Sequence, residues 1–90
     1  MNKDRRKKIQ QILQMLSDIH DHCSIASSLI EDVLDDETSC LDNMPENLEG
    51  SDRYQSISNA VDSLESARDA MQDVSDNLTT VKDELQSALE

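Results

Sequence analysis

The chain predicts an all-α fold: an antiparallel two-helix coiled-coil hairpin that dimerises into a four-helix bundle. Three observations carry that expectation. Ile9, Ile12, Leu16, Ile19, Cys23, Ala26, Ile30 and Val33 step by alternating threes and fours, and so do Ile57, Ala60, Leu64, Ala67, Met71, Val74, Leu78 and Val81. A 3-4 alternation is the seam of a coiled coil. The two ladders are also mirror images, with matched positions adding to 90, as an antiparallel pairing of a with d positions requires. Finally, the one Gly and the one Pro both lie between the ladders, whereas a β-rich or loop-rich chain would need many such turn residues.

The first helix is predicted from Lys3 to about Glu37. Asp35, Asp36 and Glu37 oppose the negative end of its macrodipole, so its last turn is expected to fray. A connection over 38–50 follows, with a short helical turn at 45–48: Pro45 suits a first-turn position and Gly50 ends the turn. Met44 and Leu48 are expected to fold over the end of the seam near Val33, Leu34 and Ile57. Ser51 is a good N-cap and Asp52 suits a first turn, so the second helix is predicted over 51–89. Ninety residues make one domain, too small for a large core.

Some apolar residues have no place on a two-helix seam. Leu13 and Leu34 fall on one flank of the first helix, Met15 and Leu29 on the other, with Ile25 further round, and the second helix continues to Leu85. A helix apolar over so wide an arc is expected to contact more than one neighbour. A lone hairpin of this size is also thinly stabilised. Leu13, Met15, Leu29, Leu34 and Leu85 are therefore the expected partner or dimer interface, with a homodimer the expected state.

Charge is segregated. Lys3, Arg5, Arg6, Lys7 and Lys8 are five of the eight basic residues, while the net charge is −12. From Glu31 to Asp52 there are nine acids and no base: Glu31, Asp32, Asp35, Asp36, Glu37, Asp42, Glu46, Glu49 and Asp52. These form the expected acidic surface. Such a balance argues against direct nucleic-acid or anionic-membrane partners and for a protein partner with a basic surface. The mirror arithmetic also sets Arg6 opposite Glu84 and Lys7 opposite Asp83, so the basic start complements the acidic end of the second helix. No apolar run approaches the roughly 20 residues that span a bilayer, and the basic start lacks a following apolar stretch. A cytoplasmic protein is expected.

Candidates for chemistry are weak. Asp18, His20, Asp21, His22 and Cys23 are metal-competent, but only His20 with Cys23, Asp18 with Asp21, and Asp18 with His22 have i, i+3 or i, i+4 spacing. No second cluster completes a tetrahedral site. His20 and Cys23 remain the only metal candidates, and flanking polar positions of a bundle are the favoured reading. Asp35–Glu46 has the length of an EF-hand loop, but Cys40 occupies the position that needs Gly and Pro45 interrupts its end. Cys40 is expected in a loop and Cys23 on the seam as a small buried hydrophobe. There is no nucleophile-and-base arrangement, phosphate loop or aromatic platform, so neither catalysis nor a cofactor is expected.

The link Asp42-Asn43-Met44-Pro45-Glu46-Asn47-Leu48, followed by Ser51-Asp52-Arg53-Tyr54 and preceded by the start Met1-Asn2-Lys3-Asp4-Arg5-Arg6-Lys7-Lys8-Ile9, resembles a family of short acidic phage and prophage proteins. Members have a basic first turn, an acidic helix, an Asp-Asn-Leu/Met-Pro-Glu-x-Leu link and a second helix. The similarity covers nearly the whole chain, with the link as its specific part. This chain departs by having His20, His22 and Cys23 where Glu, Leu and Lys are usual. The family has no settled activity, so no functional residues carry over. The resemblance implies a small accessory protein of a mobile element, acting in a bacterial cytoplasm. Function is thus expected to be non-enzymatic: binding and modulating or inhibiting a host or defence protein, extending to DNA mimicry. The alternative is a structural or assembly bundle of the scaffold or chaperone kind.

Overall fold

The computed structural model describes residues 1–48 and 50–90; Glu49, one of the acidic-surface candidates, lies outside the described residues. Helix α1 runs Lys3–Asp42, a 3-10 turn covers Glu46–Leu48, and helix α2 runs Asp52–Leu89. Asn2 caps α1, its side chain accepting from the Arg5 N–H at 2.9 Å. Ser51 caps α2 in the same way, accepting from Tyr54 at 3.1 Å. Between turn and helix, Gly50 has φ +84°, a left-handed conformation that only Gly adopts without steric cost.

Helix α1 continues five residues beyond the expected end at Glu37, so Cys40 lies on a helix rather than in a loop. The dipole penalty of three terminal acids amounts to tenths of a kcal/mol each. Half-buried Thr38 and Leu41 continue the seam spacing and outweigh it. Nothing stops the helix until Met44, which Pro45 restricts to extended backbone. The helix closes at Asn43, whose N–H bonds Ser39 O at 3.0 Å.

The two helices pack antiparallel along their length: Arg6 bonds the Leu89 carbonyl, His20 meets Lys82 and Glu31 meets Arg68. Register differs from the mirror arithmetic. Arg6 reaches Leu89 rather than Glu84, and neither Arg6 with Glu84 nor Lys7 with Asp83 forms an ion pair among the described residues. The longer α1 moves the centre of the bend from position 45 towards the 3-10 turn at Glu46–Leu48, and every facing pair shifts with it. Arg6 thereby brings a cation to the last turn of α2, which has no basic residue of its own.

The helices are also rotated relative to the expected seam. The inner rows of α1 are Ile9, Leu16, Cys23 and Ile30 together with Leu13, His20, Ser27, Leu34 and Leu41. Those of α2 are Ile57, Leu64, Met71, Leu78 and Leu85 together with Tyr54, Val61, Arg68, Ser75, Lys82 and Leu89. Half of each expected ladder is retained. The other half gives way to the adjacent row, a turn of about 50° on each helix in a 3.5-residue repeat. Ile12, Ile19, Val33, Val74 and Val81 consequently stand exposed. Met44 is half-buried at the bend, but Leu48 is exposed and does not close it.

The result is a rod, not a globule. Its extents are 69 × 15 × 15 Å and its radius of gyration 20.2 Å, against about 12 Å for a compact domain of this length. Among the described residues only Leu34 and Val61 are buried, at 4% and 7% exposure. The 6593 Å² of accessible surface exceeds by about 1,300 Å² what a compact monomer of 10.1 kDa exposes.

Candidate functional site

The polar residues on the inner rows show how the seam is specified. Lys82 Nζ lies 3.3 Å from His20 Nδ1. Arg68 Nε, also on an inner row, reaches Glu31 Oε1 at 3.7 Å and its neighbour Asp69 Oδ1 at 3.2 Å. These side chains are 40–73% exposed, so the pairs add at most about 1 kcal/mol each. Polar groups on a seam fix register at a cost in stability. The double variant His20→Leu/Lys82→Leu is therefore expected to stabilise the hairpin by about 1–2 kcal/mol, the value of two half-buried leucines. A raised urea midpoint with an unchanged slope reads this out.

The outer faces follow a simple sequence rule. On α1 the residue before each of Leu13, His20, Ser27 and Leu34 is apolar: Ile12, Ile19, Ala26 and Val33. On α2 the residue before each of Val61, Arg68, Ser75 and Lys82 is Ala60, Ala67, Val74 and Val81. The residues after those same α2 positions are Asp62, Asp69, Asp76 and Asp83, all exposed. In both helices the apolar row precedes the seam by one residue, a rotation of about 100° in the same sense. The helices run in opposite directions, so this rotation turns both rows to one side of the hairpin. The residues one place after the seam turn to the other side.

The hairpin therefore has two unlike faces. On α1 the apolar face carries Ile12, Met15, Ile19, His22, Ala26, Leu29 and Val33, again with 3-4 spacing. Met15 and Leu29 are 62% and 60% exposed. On α2 it carries Ala60, Ser63, Ala67, Ala70, Val74, Asn77 and Val81. The opposite face holds Gln14, Asp21, Ser28 and Asp35 of α1 beside the aspartate row of α2. The four aspartates recur every seventh residue, about 10.5 Å apart along the helix.

The expected interface residues divide between these surroundings. Met15 and Leu29 lie on the open apolar face. Leu13 and Leu85 are half-buried on inner rows and Leu34 is the best-buried of the described side chains. These three are correctly seam residues, because the rotation of the helices brought their rows inward. Ile12, Ile19, Val33, Val74 and Val81 take their place on the surface. The 3-4 signal was visible for these residues, but it does not say which of two neighbouring directions a row faces.

Of the acidic candidates, Asp32, Asp35, Asp36, Asp42, Glu46 and Asp52 are exposed, while Glu31 and Glu37 are half-buried. Asp35–Asp42 is continuous helix, so this segment cannot wrap a cation as an EF-hand loop does. His20 and Cys23 both lie on the inner rows, and the cation Lys82 stands 3.3 Å from His20 Nδ1. Among the described residues no three His, Cys, Asp or Glu side chains converge, and no pocket is enclosed. Cys23 and Cys40 are free thiols, 17 residues apart on one helix and so about 25 Å distant. No helix of the described residues is long and apolar enough to cross a membrane.

The chain matches no protein-family model, no curated protein and no solved structure.

Proposed function

We propose that this chain is a non-enzymatic interaction module: a homodimeric four-helix bundle whose acidic outer surface engages a basic surface on another protein. The observation that carries the reading is the opposition of the two faces. The apolar face of Ile12, Met15, Ile19, Leu29 and Val33 is the kind of surface a hairpin buries against a second hairpin. The aspartate row Asp62, Asp69, Asp76 and Asp83, with the acids around the bend, then remains outside. At a net charge of −12 such a surface attracts basic partners over distances of a Debye length, about 10 Å at 0.1 M salt.

The resemblance of the Asp42–Leu48 link to short phage and prophage proteins gives this module a setting: an accessory protein in the cytoplasm of an infected bacterium. There it binds and inhibits a host or defence protein whose natural ligand is DNA, its carboxylates standing where phosphates would lie. The test uses the purified chain as bait against a panel of DNA-binding host and defence proteins at 50 and 500 mM salt. Capture at low salt that is lost at high salt is expected. Absent or salt-insensitive capture sinks the mimicry reading.

The exposed apolar face favours a second reading, a scaffold or chaperone-like bundle that recruits another helix through that face. The variant Met15→Gln/Leu29→Gln separates the two, since it leaves charge untouched. Loss of partner capture supports the scaffold reading; a variant that becomes monomeric and still captures its partner shows the face to be a dimer seam and rejects that reading.

A further inference from the structure

We infer that the two copies pair face to face with their bends at opposite ends of the bundle, α1 running antiparallel to α1 of the second copy. This rests on the dimer reading above and adds its geometry. The occupant is identified by area and by charge. Between Ile12 and Val33 on α1, and between Ser56 and Val81 on α2, the apolar face bears no formally charged residue. That stretch is about 32 Å long at 1.5 Å per residue and about 20 Å wide across two helices. Its roughly 600 Å² compares with about 800 Å² per partner in a standard interface. It is also of the order of half the excess surface that the lone hairpin exposes. A second copy supplies a surface of matching length.

Two face-to-face arrangements use this surface. With both bends at one end, the segments from Glu31 to Asp52 of the two copies lie side by side, nine acids against nine. Lys3, Arg5, Arg6, Lys7 and Lys8 are then grouped at the far end, the length of the 69 Å rod away. With the bends at opposite ends, each acidic bend meets the basic start of the other copy. Centring the row from Ile12 to Val33 on its own copy brings Lys8 within a turn of Asp36 across the interface. Like charges gathered in one place cost free energy and opposite charges fix orientation, so the second arrangement is favoured.

The experiment uses the native chain. Sedimentation establishes mass, then a carbodiimide couples lysine amines directly to neighbouring carboxylates, and the cross-linked dimer is mapped by mass spectrometry. Within one copy Lys8 and Asp36 are 28 residues apart on a single helix, about 42 Å, so a zero-length link between them can form only between copies. The expected result is a dimer in which Lys3, Lys7 or Lys8 is joined to Asp35, Asp36, Glu37 or Asp42. A dimer lacking those links, including one with lysine joined only to Asp83, Glu84 or Glu90, overturns the orientation and leaves the dimer standing. A fully helical monomer at micromolar concentration overturns the dimer reading itself.

Discussion

Leu34→Ala is expected to lower stability by about 2–5 kcal/mol, the cost of emptying a buried leucine site. For a chain of this size that is most of the folding free energy. Leu34 is 4% exposed and Val61 7%, and no other described side chain is buried to that degree, so little remains to compensate. Urea unfolding followed by circular dichroism reads the effect. The exposed Ser28→Ala, on the opposite face, serves as control, with an expected change under about 1 kcal/mol. Equal losses at the two positions would mean that the packed layer is not where the structure has it.

The triple variant Ile12→Gln/Ile19→Gln/Val33→Gln is expected to weaken self-association by at least about 100-fold. Each substitution removes roughly 1 kcal/mol or more of apolar burial at the interface. Sedimentation over a concentration series measures this. Leu85→Gln is the informative contrast, because Leu85 is half-buried on an inner row. It should unfold the hairpin more readily at every concentration instead of separating intact protomers. If the triple variant associates as the parent does, the apolar face is not the dimer contact.

These two variants mark where the sequence was legible and where it was not. The two helices, the N-cap at Ser51 and the short turn before Gly50 all follow from local chemistry, and each is present; the Asn2 cap was seen only in the structure. The end of α1 was harder. A dipole argument at Asp35–Glu37 weighs tenths of a kcal/mol, whereas the packing of Leu41 and Tyr54 depends on a partner helix that local reasoning does not see. The facing rows were harder still. Ile9, Leu16, Cys23 and Ile30 belong equally to a ladder with Ile12, Ile19, Ala26 and Val33 and to one with Leu13, His20, Ser27 and Leu34.

Apolarity favours the first ladder and the hairpin uses the second. The apolar arc of α1 is wider than one partner helix covers, and periodicity locates only the middle of that arc. The strongest hydrophobes of α1 therefore point about 50° away from α2, halfway between it and the open face. The same division explains the interface residues. Met15 and Leu29 lie on the far edge of the arc and stayed exposed, while Leu13, Leu34 and Leu85 lie on the near edge and were drawn in.

The position of the best-packed layer along the rod also sets an order in time. Leu34 and Val61 lie in the bend-proximal third of the hairpin, with 26 residues between them. Arg6 and Leu89 close nearly the whole chain. The entropy of closing a loop grows with its length, so the layer near the bend is both the cheapest to close and the most rewarding once closed. Assembly zips from there outward, and each further layer closes a gap of only a few residues. The end of the hairpin away from the bend joins last and opens first. On a ribosome α1 emerges before α2, so the basic start of α1 waits for the last turn of α2 before it is paired.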